Sequence, residues 1–255
     1  VGLRPTQTRI SRAGAMPLSF SLDCTGPLTR SVRDTARMLG VVAGFDPRDP
    51  TSSRKKVPDY EEACDQDARD LVIGIPDSYY LDGLEDDVAA AFDTARRTLA
   101  ARGCRTVEAK MPDHETINEL WNMIQLSEVA SVHARWLRDR PGHYSPQVRR
   151  RIETGLYISA ADYLRAAALR AEITEAFLSD VFGECDVLMT PTLPLSAPRL
   201  NETDVGDSED NGQRDMDLAE WHAMILRISG FTRPVSFLGL PAMSVPAGFD
   251  RDGLP

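Results

Sequence analysis

Residue types that could carry catalysis are few and scattered along this chain. A lysine acting as a general base must be desolvated so that its pKa falls toward neutrality. Only Lys55, Lys56 and Lys110 are available. The first two lie in the polar loop running from Asp46 to Pro58, and Lys110 precedes Met111-Pro112 at a strand end, so none has a dry setting. A Gly-x-Ser-x-Gly elbow is absent, as are Walker and Rossmann glycine loops. His114, His133, His143 and His222 are spread out with no His-Glu-x-x-His pattern, so no metal site and no cofactor is expected. Cys24, Cys64, Cys104 and Cys185 form no Cys-x-x-Cys pair, which reads as free thiols in a reducing cytoplasm. These residues alone support no more than an α/β domain. A non-catalytic binding module stays open beside an enzyme.

The elements that would position any site follow from periodicity. With 255 residues, 42% of them hydrophobic, the chain can bury a substantial core. No apolar run approaches the length of a membrane span, and no basic start followed by an apolar stretch suggests a signal peptide. The net charge of −10 argues against nucleic acid as a direct partner. Much of that charge sits between Asn201 and Glu220, where eight acids face Arg214 alone, so 201–220 is expected to be an acidic surface loop or insertion. Between Arg135 and Arg151, six arginines face Asp139 alone, which reads as a solvated helix end before an anion site.

Strands are predicted at 71–75, 104–111, 186–190 and 242–245, with helices at 85–102, 115–139 and 161–182. The strand–helix–strand order over 71–111 implies a crossover between parallel strands, with Gly103 closing the helix.

One ordered string of motifs is more specific. Val1-Gly-Leu-Arg-Pro-Thr6 is followed by Arg9-Ile-Ser11, then by Ser21-Leu-Asp-Cys-Thr-Gly-Pro-Leu-Thr-Arg30 and by Ala43 to Ser52. Val187-Leu-Met-Thr-Pro-Thr192 and the run from Gly239 to Phe249 complete it. Together these resemble the amidase signature family over the whole chain. The resemblance implies an α/β fold with a mixed, mostly parallel central sheet covered by helices on both faces. It also implies an amide hydrolase using a Ser–Ser–Lys triad and a glycine-serine oxyanion loop. In that family the triad precedes the stretch matched by residues 1–6. The chain is therefore expected to be the C-terminal portion of one such domain, with no catalytic residue of its own and inactive alone.

What the resemblance leaves here is structural support and part of a substrate pocket. Asp23, Gly26 and Pro27 belong to a signature turn, in which Asp23 is expected to cap backbone amides and Gly26 to adopt a positive φ. Arg9 and Arg30 are expected to be structural salt-bridge partners. Pocket walls are expected from Trp121 and Asn122, which match tyrosines of the related tRNA-dependent amidotransferase component, and from Arg150 or Arg151, in a stretch that places an arginine at the amide substrate. Ser229 matches an aspartate that holds the glutamine ammonium in that component. Its neutrality favours a stand-alone amidase acting on a small carboxamide over the glutaminase of the amidotransferase, with a homo-oligomer left open.

Overall fold

The computed structural model describes residues 1–199 and 218–255, so most of the acidic stretch 201–220 lies outside the described residues. In chain order the elements are β1 (Gly2–Arg4), α1 (Val32–Val42), β2 (Val72–Pro76), α2 (Asp86–Ala101), β3 (Arg105–Ala109) and α3 (His114–Asp139). There follow α4 (Pro146–Thr154), α5 (Ala160–Asp180), β4 (Val187–Leu188), α6 (Leu218–Ser229), α7 (Arg233–Leu238) and β5 (Ala242–Ser244).

Strand β2 lies between β3 and β4 and is parallel to both. The crossover predicted over 71–111 therefore closes as expected, and Gly103 ends α2 at φ 92°. Strands β1 and β5 pair antiparallel, Leu3 opposite Met243. The fold is α/β with mixed, mostly parallel strands, in two separate sheets among the described residues. Its core joins the parallel sheet to three helices, through Ala109 with Ile117, Leu120 and Ile124 of α3, Phe177 of α5 and Phe237 of α7.

Pairing of β1 with β5 explains the ordered motifs, because it brings the first and the last of them together. The Leu3 N–H donates to Pro27 O at 3.1 Å, and Thr192 and Ser244 share a hydroxyl hydrogen bond at 3.0 Å. Gly26 does not take the positive φ expected of it. Its requirement is close approach: a Cβ there would stand 1.8 Å from Leu3 O. Asp23 caps as expected, its Oδ2 accepting the Leu18 and Ser19 N–H groups at 2.9 and 3.0 Å.

The arginine expectations change. Arg9 is structural, but it donates to Tyr60 Oη and to the Lys55 and Lys56 carbonyls instead of to a carboxylate. Arg30 is exposed and forms no ion pair among the described residues.

Helix α3 is the central beam. Its 26 residues span about 39 Å. Asp113 starts it by accepting the Glu115 and Thr116 N–H groups. Ten of its residues are buried, among them the polar His114, Gln125, Glu128 and His133. Helices α4, α5 and α7 all pack against it.

Candidate substrate pocket

Asn118, Trp121, Asn122 and Gln125 recur at i, i+3, i+4 and i+7, so they share one stripe of α3. Three other elements face the N-terminal part of that stripe. From the turn after β2 comes Tyr79, whose hydroxyl accepts from Asn118 Nδ2 at 2.8 Å. Its backbone sits at φ 62°, uncommon for a bulky residue, and its N–H donates to Asp82 Oδ2 at 2.8 Å. The Tyr79 ring stacks on the buried His114, with centroids 4.3 Å apart. Burial pushes the Tyr79 phenol up and the His114 imidazole down, so both are held neutral.

Arg233 comes from the start of α7. It is only 3% exposed, and its guanidinium carbon lies 4.8 Å from the centre of the Trp121 ring. Its Nε donates to Ser229 Oγ at 2.9 Å, while that hydroxyl donates to Ile225 O at 2.6 Å. Arg151, the third contribution, is half-buried near the end of α4. Its charge adds to burial in lowering the Arg233 pKa, which falls to about 10. Burial lowers that of Arg151 as well. Both remain cationic at pH 7, and neither has a carboxylate partner among the described residues.

The energies do not close around Arg233. A buried ion costs several kcal/mol even after relaxation. One hydrogen bond to a charged group returns about 1.5–3 kcal/mol, and a desolvated cation–π contact about 2 kcal/mol. Arg151 opposes both. Meanwhile Asn118 Oδ1, Trp121 Nε1, Gln125 Oε1 and Arg233 Nη1 are all buried without a partner in the described residues. These four unsatisfied polar atoms lie on two adjoining elements, α3 and α7. Metal ligation is not what they offer, since no cluster of three His, Cys, Asp or Glu forms among the described residues.

A family model described as Amidase matches residues 1–255. The chain belongs to the amidase family. An amidase of Pseudomonas putida is 37% identical over 260 residues, covering all of this chain and 53% of that protein. A glutamyl-tRNA(Gln) amidotransferase subunit from Granulibacter bethesdensis is 34% identical, again over the whole chain and 52% of its own length. One solved structure, described as part of a vestigial protein complex bearing on the origins of an s-triazine catabolic enzyme, superposes with a TM-score of 0.76 at 30% identity. It covers 94% of this chain and 49% of its own. The corresponding amidotransferase subunit from Thermotoga maritima gives 0.74 at 28% identity, covering 98% of this chain and 51% of its own. The chain thus spans about half the length of the relatives it matches.

Within this amidase framework the expected pocket residues separate. Trp121 lies against Arg233, and Arg151 reaches the cluster through the effect of its charge on Arg233. Asn122 lies half-buried on the same stripe. Arg150 points away, exposed, with its carbonyl accepting the Thr154 hydroxyl. Ser229 contributes indirectly, because its hydroxyl is committed to Arg233 and Ile225. Among the neighbouring basic residues, Arg135 and Arg138 pair with Asp139, and Arg149 with Glu153, as a solvated helix end would. Sequence reasoning missed Arg233, Tyr79, Asn118 and Gln125. Arg233 lies inside the stretch Ser229–Pro234 that supplied the Ser229 argument, and an arginine close to Phe231, Pro234 and Val235 was the available signal.

Proposed function

We propose that this chain supplies the substrate pocket and sheet support of an amide hydrolase, and that within the family it serves a stand-alone amidase and not a tRNA-dependent glutaminase. The observation that carries this choice is Ser229, which stands where the resemblance places an ammonium-binding aspartate and instead holds the buried Arg233 at 2.9 Å. An ammonium about 6 Å from such a guanidinium is repelled by about 2.8 kcal/mol at an effective dielectric of about 20. That corresponds to about a hundredfold in binding.

The chemistry is that of the family. A lysine acts through a bridging serine to activate the nucleophilic serine, which forms an acyl-enzyme with loss of ammonia or an amine, and water then releases the acid. No cofactor enters. The reading places the enzyme in the cytoplasm with a small carboxamide as its partner, no direct nucleic-acid contact, and a homo-oligomer compatible with it. Among the described residues no helix is long and apolar enough to cross a membrane.

The test is ammonia release by the intact protein from a panel of carboxamides, with a serine-reactive fluorophosphonate as inhibitor. Probe-sensitive turnover is expected, with glutamine at least about a hundredfold poorer than the best neutral or anionic amide. Efficient glutamine hydrolysis coupled to tRNA charging would reverse the choice.

The two neighbouring arginines divide the same assay. Arg151→Ala is expected to lower kcat/KM by about tenfold or more, about 1.4 kcal/mol, chiefly by raising KM. Arg150→Ala should leave it within about twofold, as for an exposed side chain. The opposite pattern would move the pocket to the other face of α4.

A further inference from the structure

Segments remote in sequence converge on Ser21, in the signature turn. Its N–H donates to Glu128 of α3 at 3.0 Å. Its carbonyl accepts from Gln7 Nε2 at 2.6 Å, and from Nη1 and Nη2 of Arg170 on α5 at 3.2 and 3.3 Å. Arg170 Nη1 also reaches the Ser21 hydroxyl at 3.2 Å, while its Nε donates to Phe237 O of α7. One planar guanidinium fork thus fixes the turn against α7, a geometry that an ammonium cannot reproduce.

The turn in its own right holds the first residues of the chain. The Leu3 N–H donates to Pro27 O at 3.1 Å, and Arg4 Nη2 to Leu22 O at 3.2 Å. Gln7 shares the Ser21 carbonyl with Arg170. Gly26 packs against Leu3 O with no room for a Cβ. Residues 3–7 are therefore held wherever the turn is held.

We propose that Arg170 is a positioning residue for the nucleophile: by fixing Ser21 it fixes residues 3–7, and through them the serine loop ahead of them. This rests on the amide-hydrolase reading above, which places the nucleophile upstream of residues 1–6. Attack requires the reacting atoms about 3–3.5 Å apart, and a shift of about 1 Å from a distant change costs about a hundredfold. Arg170 spends its hydrogen bonds on Ser21 and Phe237 and none on Trp121, Arg151 or Arg233. Arg233, at the opposite end of α7, keeps Ser229 and Trp121. Nucleophile placement is expected to suffer while substrate binding is spared.

The test is Arg170→Lys in the intact protein, where the ammonium can hold either carbonyl but not the fork. Time-resolved labelling by a serine-reactive fluorophosphonate gives a rate constant and, separately, the fraction of protein labelled. The rate constant and kcat are both expected to fall by about tenfold or more, with KM within about twofold and the labelled fraction unchanged. Arg165→Lys, at an exposed position of the same helix, should change none of these. Gln7→Met removes the other donor to the Ser21 carbonyl and should slow labelling by about threefold. The double variant should lose less than the product of the two effects, since both act through one carbonyl.

A smaller labelled fraction with an unchanged rate constant would make Arg170 a stabilising residue only and overturns the proposal. A rise in KM alone also overturns it. Either result leaves the hydrolase reading standing, whereas wild-type protein that neither labels nor turns over any amide overturns both. If Arg170→Lys yields no folded protein, Gln7→Met decides, and an unchanged rate constant there overturns the proposal.

Discussion

Replacing Gly155 by alanine is expected to destabilise the intact protein by about 3 kcal/mol, with a measurable fall in its melting temperature. Gly155 is buried where α4 ends and turns back over α3. A Cβ built there would stand 1.9 Å from Leu126 O and 2.8 Å from Ala130 Cβ. Both obstacles belong to α3, the beam of the fold, so neither can yield like the end of a long side chain. The backbone at Gly155 is ordinary, with φ −64° and ψ −21°, so alanine meets no dihedral strain. On dihedral grounds alone a Gly→Ala change would stabilise by about 0.4–1 kcal/mol through the unfolded chain. The steric term reverses that sign. Since Arg151 is one turn away on α4, the forced shift should also raise KM for the amide substrate. Thermal unfolding with steady-state kinetics checks both effects, and an unchanged melting temperature would mean that α4 does not approach α3 so closely.

Glu128→Ala is expected to cost about 3–5 kcal/mol, and Glu128→Gln roughly half as much. Glu128 is 1% exposed in the middle of α3. Three donors converge on its carboxylate: Ser19 Oγ, the Ser21 N–H at 3.0 Å and Tyr163 Oη at 3.0 Å. Arg170, also on α5, donates from Nη1 to Ser21 O at 3.2 Å and from Nε to Phe237 O. The signature turn is thereby tied to α3 through Glu128 and to α5 and α7 through Arg170. Alanine leaves the buried Ser19 hydroxyl, and the part-buried Ser21 N–H and Tyr163 hydroxyl, without their acceptor. Glutamine keeps one acceptor but points an N–H₂ group at donors it cannot satisfy. Urea unfolding of the two variants should show this ranking. Equal, small losses in both would mean that solvent reaches the carboxylate and replaces it.

Much of the framework was legible because local periodicity and global packing agree. Helices α2, α3 and α5 and strands β2 and β3 lie within a few residues of their predicted bounds. Each has a periodic apolar pattern closed by a cap, a proline or a glycine, and such signals act over a few residues. Short elements were less legible. Helices α1, α4 and α7 and strand β1 escaped, since their stability comes from what they pack against more than from their own pattern.

The residues themselves determined the family, through motifs whose order no local rule explains, and they determined that Ser229 carries no charge. Which motif touches which was decided by β1 pairing with β5, between segments more than 230 residues apart. Tertiary structure also sets Arg150 and Arg151 apart, adjacent in sequence but one exposed and the other half-buried. It decided that Gly26 answers to a carbonyl 1.8 Å from where its Cβ would be, not to a dihedral angle. Arg233 and Glu128 are the clearest cases. Each is a charged side chain whose meaning depends on its burial and on the partners that face it, and both are set by chain crossings that no short window of sequence contains.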